Sequence, residues 1–175
     1  MDIAAAVKEK RNKAGMEALA EWVDGDPDRF AETWHVMQHG TTRDSECASW
    51  MVDKCLMRWP ELLLPFQYDA YTILRGPLHQ AVHRCLTKNL LHVAIADDLR
   101  LPLFDYCIDA IGNESVSVAV RCHCILLGWK IAEPDDALAD ELGLMIRANM
   151  QTGTAGFRNR GSRVLKWIES SRNSR

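Results

Sequence analysis

HQAVHRCLTKNLL (79–91) and SVAVRCHCILLGW (117–129) are two copies of one pattern. Arg84-Cys85 and Arg121-Cys122 align at a separation of 37, and Cys47, within RDSECASWMVDKC (43–55), falls 38 before Cys85. Three of the six cysteines thus occupy one repeat position. That position is expected to pack between neighbouring hairpins, where only a small side chain fits.

The same period is written in glycine and proline. Gly40, Gly76 and Gly112 stand 36 residues apart, and Gly153 follows 41 later. A glycine one step past a helix end takes the left-handed conformation other residues resist, so the series is expected to mark helix C-termini. Asp26-Pro27, Trp59-Pro60 and Glu133-Pro134 place proline where a first-turn residue has no donor to lose, and Ala96-Asp97-Asp98 supplies acidic caps. Between these marks, Leu63, Phe66, Ala70 and Ile73 have helical spacing. Leu101, Phe104, Ile108 and Ile111 repeat it, Leu138, Leu142, Met145 and Ala148 follow with a small shift, and a weaker copy runs from Pro27 to about Gln38.

NESVSVAVRCHCILLGWKI (113–131) resembles the second helix of a HEAT repeat: an acid or Asn, a valine, then Val-Arg and a run of small and apolar residues. The resemblance covers roughly residues 27–171, and the first hairpin departs from it in having Glu46 where the arginine would stand. It implies an all-α fold, a right-handed α-solenoid of about four HEAT-like hairpins with the second helices lining a concave face. The expectation is a single domain, 1–175, with a capping helix in 1–25 and hairpins at about 27–58, 61–93, 98–132 and 135–171. Helices are predicted near 3–23, 27–39, 44–58, 61–75, 78–93, 98–112, 115–132, 135–151 and 155–171.

Composition is globular: 175 residues, 47% hydrophobic and 26% charged, which points away from disorder. No apolar run approaches the roughly 18 residues a membrane span needs, and the start MDIAAAVKEKRNKAG is too charged for a signal peptide, so a cytoplasmic protein is expected. Thiols then stay reduced, and with no CxxC the CxC of Cys122 and Cys124 reads as small buried residues. Charge is uneven. Residues 1–13 carry four Lys/Arg against two acids, 14–146 ten against 21, and the last 29 residues seven against one. An acidic body does not suit a nucleic-acid binder.

No catalytic constellation stands out. GxGxxG, GxxxxGK[ST], GxSxG and HExxH are all absent, as is the SSxMPxKxN loop of the helical lyases, so neither an enzyme nor a cofactor is expected. Two alternatives stay open. One is a metal-binding helical protein, since His35/His39 and His79/His83 each fall at i, i+4 and Glu32-x-x-His35 is half of a di-iron motif. The other is a base-excision glycosylase, because bacterial alkylpurine glycosylases are built from HEAT-like repeats of this size. Its phosphate contacts would come from the basic tail GFRNRGSRVLKW (156–167).

The leading expectation is a non-enzymatic scaffold whose partner is a protein or peptide segment, acidic in character, with no membrane or nucleic acid involved. Trp22, Trp34, Trp50 and Trp59 are assigned to the core or to gaps between hairpins. Trp129 points about 180° away from Val120 in the stripe Val120, Cys124, Leu127 and Ile131, and Trp167 follows one repeat later. Arg84, Arg121, Trp129, Arg160 and Trp167 are therefore the candidate partner contacts. For the two Val-Arg-type arginines the resemblance implies a competing role, a bridge to an acid in an adjacent hairpin.

Overall fold

A computed structural model describes residues 2–77 and 79–173, and among them there is helix but no strand. The helices are α1 (Ile3–Glu9), α2 (Lys13–Val23), α3 (Pro27–His39), α4 (Thr42–Arg58), α5 (Gln67–Leu74), α6 (Gln80–Asn89), α7 (Asp97–Gly112), α8 (Val118–Ala132), α9 (Asp136–Asn149) and α10 (Ala155–Asn173). A 3-10 segment, Pro60–Phe66, leads into α5, and a 3-10 turn, Leu90–His92, ends α6. The expected start of the fifth helix, Leu78, lies outside the described residues. The four hairpins are therefore α3–α4, α5–α6, α7–α8 and α9–α10.

Two compact units divide the chain, 1–94 and 95–175. In the N-terminal unit α3 packs on α4, and both α2 and α6 run against α4. Its core centres on Phe30, Trp34 and Phe66, with Trp34 and Phe66 ring centroids 4.8 Å apart. In the C-terminal unit α8 packs against α7, α9 and α10 around Phe104, Cys107, Leu127, Leu142 and Phe157.

Four details differ from the sequence reading. The capping helix expected over 3–23 is two helices, because Asn12 accepts the Gly15 N–H and starts a new one. The chain folds back so tightly there that a Cβ on Gly15 would stand 2.5 Å from the Lys10 carbonyl oxygen. Helix 61–75 begins as 3-10, since Pro65, inside the segment, removes a donor from an α-helical ladder. That segment winds at three residues per turn, so the spacing read from Leu63 does not transfer to a regular α-helix. Leu101 is accordingly 59% exposed and Ile108 half-buried, whereas Phe104 and Ile111 are buried as expected, joined by Leu99, Leu103 and Cys107, while in α9 Ala148 is exposed and Ile146 is buried. Finally, none of the four periodic glycines is left-handed; among the described residues only Asp24 and Gly25 have positive φ. Gly40 is required by close approach, as a Cβ would meet the Val36 carbonyl oxygen at 2.5 Å.

The second helices α4, α6 and α8 share a register that is not the one the cysteines suggest, and α10 follows α8 at 37, as Val120 and Phe157, Cys124 and Gly161, and Leu127 and Val164 show. Buried positions of α4, α6 and α8 coincide at a spacing of 38: Ser45, His83 and Arg121; Ala48, Leu86 and Cys124; Met51, Asn89 and Leu127. Arg84 therefore corresponds to Cys122, and Arg121 to His83. The 37-residue alignment matched the letters Arg-Cys but slipped one position, about 100° of helix. Cys47 and Cys85 do share a position, and Cys122 does not.

Candidate partner-binding clefts

What the register governs is the end of each first helix. A helix leaves its last carbonyls without partners, and in each hairpin one residue near the start of the second helix reaches back to them. Ser45 Oγ donates to the Gly40 carbonyl at 3.3 Å, past the end of α3. Arg121 donates from Nε and Nη2 to the Ile111 carbonyl at 3.0 and 2.7 Å, and from Nη2 to Asn149 Oδ1 at 3.1 Å. Arg158 Nη1 donates to the Gly153 carbonyl at 2.6 Å, past the end of α9. His83, in the same position of its hairpin, is buried with Nε2 unpartnered; desolvation lowers its pKa, and backbone hydrogen bonding at Gly76 and Ile73 opposes that.

Arg121 is thus buried, with Phe157 packed 4.7 Å from its guanidinium carbon, and has no face to offer a partner. Its place among the candidate contacts is corrected accordingly. Nor does it bridge to an acid: its partners are a helix-end carbonyl and an amide.

Arg84, one position on, is exposed. It lines a cleft of about 560 Å³ between α4 and α6, together with Arg11, Thr42, Arg43, Glu46, Cys47, Trp50, His79 and Ala81. Arg11 is committed to Asp44, 2.6 Å away on a buried carboxylate that also accepts from Thr41 Oγ1. The Thr41 hydroxyl, with Arg11 adding to it, holds the Asp44 carboxyl below the usual range against the cost of burial. The guanidiniums of Arg43 and Arg84 make no hydrogen bond or ion pair among the described residues. Trp50, assigned by sequence to the core, is 47% exposed here. Beyond the cleft, Lys88 Nζ grips Asp53 at 2.8 and 2.9 Å and Asn89 Nδ2 reaches the same carboxylate, tying α6 to α4.

In the C-terminal unit the expected tryptophans do converge. Trp129 on α8 and Trp167 on α10 line one cleft of about 400 Å³ with Glu133, which caps the end of α8, and with Ser170 and Ser171. Arg163 lies 5.1 Å over the Trp167 ring. Arg160 is not in this lining; it is half-buried on the same helix, near enough to the Cys122 thiol to lower its pKa against the raising effect of burial. The structure therefore groups Trp129 with Trp167, places Arg84 in a different unit, and separates off Arg121 and Arg160.

Sequence reasoning missed Arg43 and Trp50. The signal was present: on α4, Ala48, Met51, Val52 and Cys55 form the buried stripe, and Trp50 stands 200° from Ala48. The angle argument that singled out Trp129 applies equally to Trp50. Of the others, Trp34 is buried, Trp22 and Trp59 are half-buried, and these two are flanked by Arg29 and Arg58.

The histidine pairs do different things. His35 and His39 rings sit 4.6 Å apart, whereas His79 Nδ1 accepts the Ala81 N–H as the cap of α6 and His83 is buried. Among the described residues no group of three or more His, Cys, Asp or Glu is placed to hold a metal ion. None of the described helices is long and apolar enough to cross a membrane.

Recurring hairpins, buried positions that recur every 37 or 38 residues and second helices packed in pairs within each unit define an α-helical repeat protein. The chain belongs to the HEAT repeat domain family, whose model it matches over residues 3–168. No curated protein and no solved structure matches it.

Proposed function

We propose that the protein is a non-enzymatic interaction module that holds a segment of a protein partner on the exposed face of its second helices. HEAT repeats are commonly protein-interaction modules, which supports the class. The observation that carries the location is where solvent-accessible arginine and tryptophan collect. Arg43 and Trp50 stand on α4, Arg84 on α6, Trp129 on α8 and Trp167 on α10, and each lines a cleft made by second helices. Exposed tryptophan and arginine are the side chains most enriched among residues that dominate binding energy.

The test is affinity capture from the native lysate by wild-type protein, Trp50→Ala and Trp129→Ala side by side, with helicity checked by circular dichroism. The reading expects a polypeptide retained by the wild type and lost from at least one variant whose fold is intact. Retention indifferent to both rings would overturn it.

A further inference from the structure

We infer that the cleft between α4 and α6 recognises a peptide segment that presents two carboxylates beside an apolar or aromatic side chain. The inference deepens the interaction reading above and rests on it. Three arginines line the cleft against one lining carboxylate, Glu46, and only Arg11 has an acceptor of its own. Arg43 and Arg84 come from different helices and are both exposed. A guanidinium is a planar fork that suits a carboxylate, and two of them without acceptors ask for two. Thr42 and Ala81 place the first turns of α4 and α6 at the same cleft, so the positive ends of two helix dipoles add to the field.

Charge alone would admit a phosphate chain as well, and two observations favour a peptide. Trp50 gives the cleft a large apolar wall, half exposed and unshielded by any cation–π partner among the described residues. Moreover, residues 1–94 carry 11 Lys/Arg and 13 Asp/Glu, so the surroundings repel a polyanion even where the cleft attracts a pair of carboxylates. At about 560 Å³ the space suits a few side chains, as ligand clefts of this size do.

A phage-displayed library of random 12-residue peptides, selected on the full chain, supplies the probe, and the enriched peptides are then synthesised and titrated by fluorescence polarisation. Expected winners carry paired Asp or Glu around an aromatic or large aliphatic residue. Arg43→Glu and Arg84→Glu should each weaken them by about tenfold and Trp50→Ala by about thirtyfold, with Trp129→Ala unchanged. Replacing one peptide acid by Lys should restore affinity for Arg84→Glu. Enriched peptides that ignore all three substitutions but lose binding in Trp129→Ala would overturn this inference while leaving the interaction reading standing. A library that enriches nothing would overturn both. Tighter binding of single-stranded 12-residue DNA than of any selected peptide, lost in Arg43→Glu and Arg84→Glu, would assign the cleft to phosphate instead.

Discussion

The cleft between α4 and α6 and the cleft between α8 and α10 both lie along seams of second helices, but the first is lined by arginine and the second by tryptophan and Glu133. The source of the difference is internal. In the N-terminal unit a serine and a histidine, Ser45 and His83, stand at the position facing the first helix's end, and the arginines fall elsewhere, on the solvent side. In the C-terminal unit Arg121 and Arg158 take that position, and their guanidiniums are consumed by the Ile111 and Gly153 carbonyls. One residue's displacement along a helix thus converts a potential contact into a structural brace, because 100° of rotation carries it from solvent to core.

The largest effect should separate the two arginines that share the letters Arg-Cys. Arg121→Ala removes a charged donor from the buried Ile111 carbonyl and the half-buried Asn149 amide and leaves the end of α7 unsatisfied, which should cost about 3 kcal/mol of stability. Arg84→Ala, on the surface, should change stability by about 0.5 kcal/mol or less. Urea unfolding of both variants checks the pair, and equal midpoints would erase the distinction. Next come the tryptophans. Trp50→Ala and Trp129→Ala should each leave helicity in place yet weaken a partner held in their own cleft by about 2 kcal/mol. Isothermal titration against one purified partner says which cleft holds it, and a partner weakened equally by both would need a site the separate clefts do not describe.

The third effect is smaller and belongs to one unit. Burial lowers the His83 pKa from its ordinary 6.5, so below that pH the unfolded chain binds a proton the folded chain resists. The stability due to neutral His83 is complete above 6.5 and is lost as pH falls through that value toward the folded-state pKa. The Asp44 carboxyl is depressed from 3.8, so its own contribution is lost only at more acid pH. Electrostatic repulsion from the His79 imidazole adds to the lowering at His83. Unfolding midpoints between pH 7.5 and 5 should fall for the wild type and flatten for His83→Gln. A slope that survives His83→Gln would place the acid sensitivity elsewhere.

Much of this molecule was legible before its structure. The hairpins and their order follow from prolines and glycines near helix ends, although Pro134 stands before the Asp135 cap of α9 and not in its first turn, and the α8 stripe of Val120, Cys124, Leu127 and Ile131 is buried throughout. The reading failed where identical letters competed with geometry. Arg84-Cys85 and Arg121-Cys122 invited a match at 37, whereas burial follows 38, and a one-residue slip is invisible to letter matching but decisive for which way a side chain points. Gly40 and Gly153 were correctly placed for a reason other than the one expected: tight packing between helix ends and not left-handed backbone. The N-terminal cleft could not be found from any single helix, because Arg11, Arg43, Trp50 and Arg84 come from three separate stretches that only packing assembles.

The smallest effect leaves stability untouched and asks only which thiol meets solvent. Cys55 is buried and its thiol is pushed up to about 12 by desolvation, and burial also drives the Cys85 and Cys107 thiols well up. A thiol held protonated and covered reacts slowly, since the thiolate is the nucleophile. Cys47 and Cys122 are the two half-buried thiols, one on each side of the comparison. Cys47 lines the arginine cleft, whereas Cys122 lies outside the lining of the tryptophan cleft, and burial raises its pKa even with Arg160 and Arg121 nearby. Native-state labelling with a maleimide followed by peptide mass mapping should therefore modify Cys47 first, Cys122 more slowly and the buried four last. An acidic peptide seated against Arg43 and Arg84 should slow Cys47 by about tenfold or more and leave Cys122 unchanged, the protection expected when a ligand covers most of a cleft's surface. If the same peptide protects Cys122 and not Cys47, the acidic segment is held by the C-terminal unit, and the contrast between the two clefts has been drawn the wrong way round.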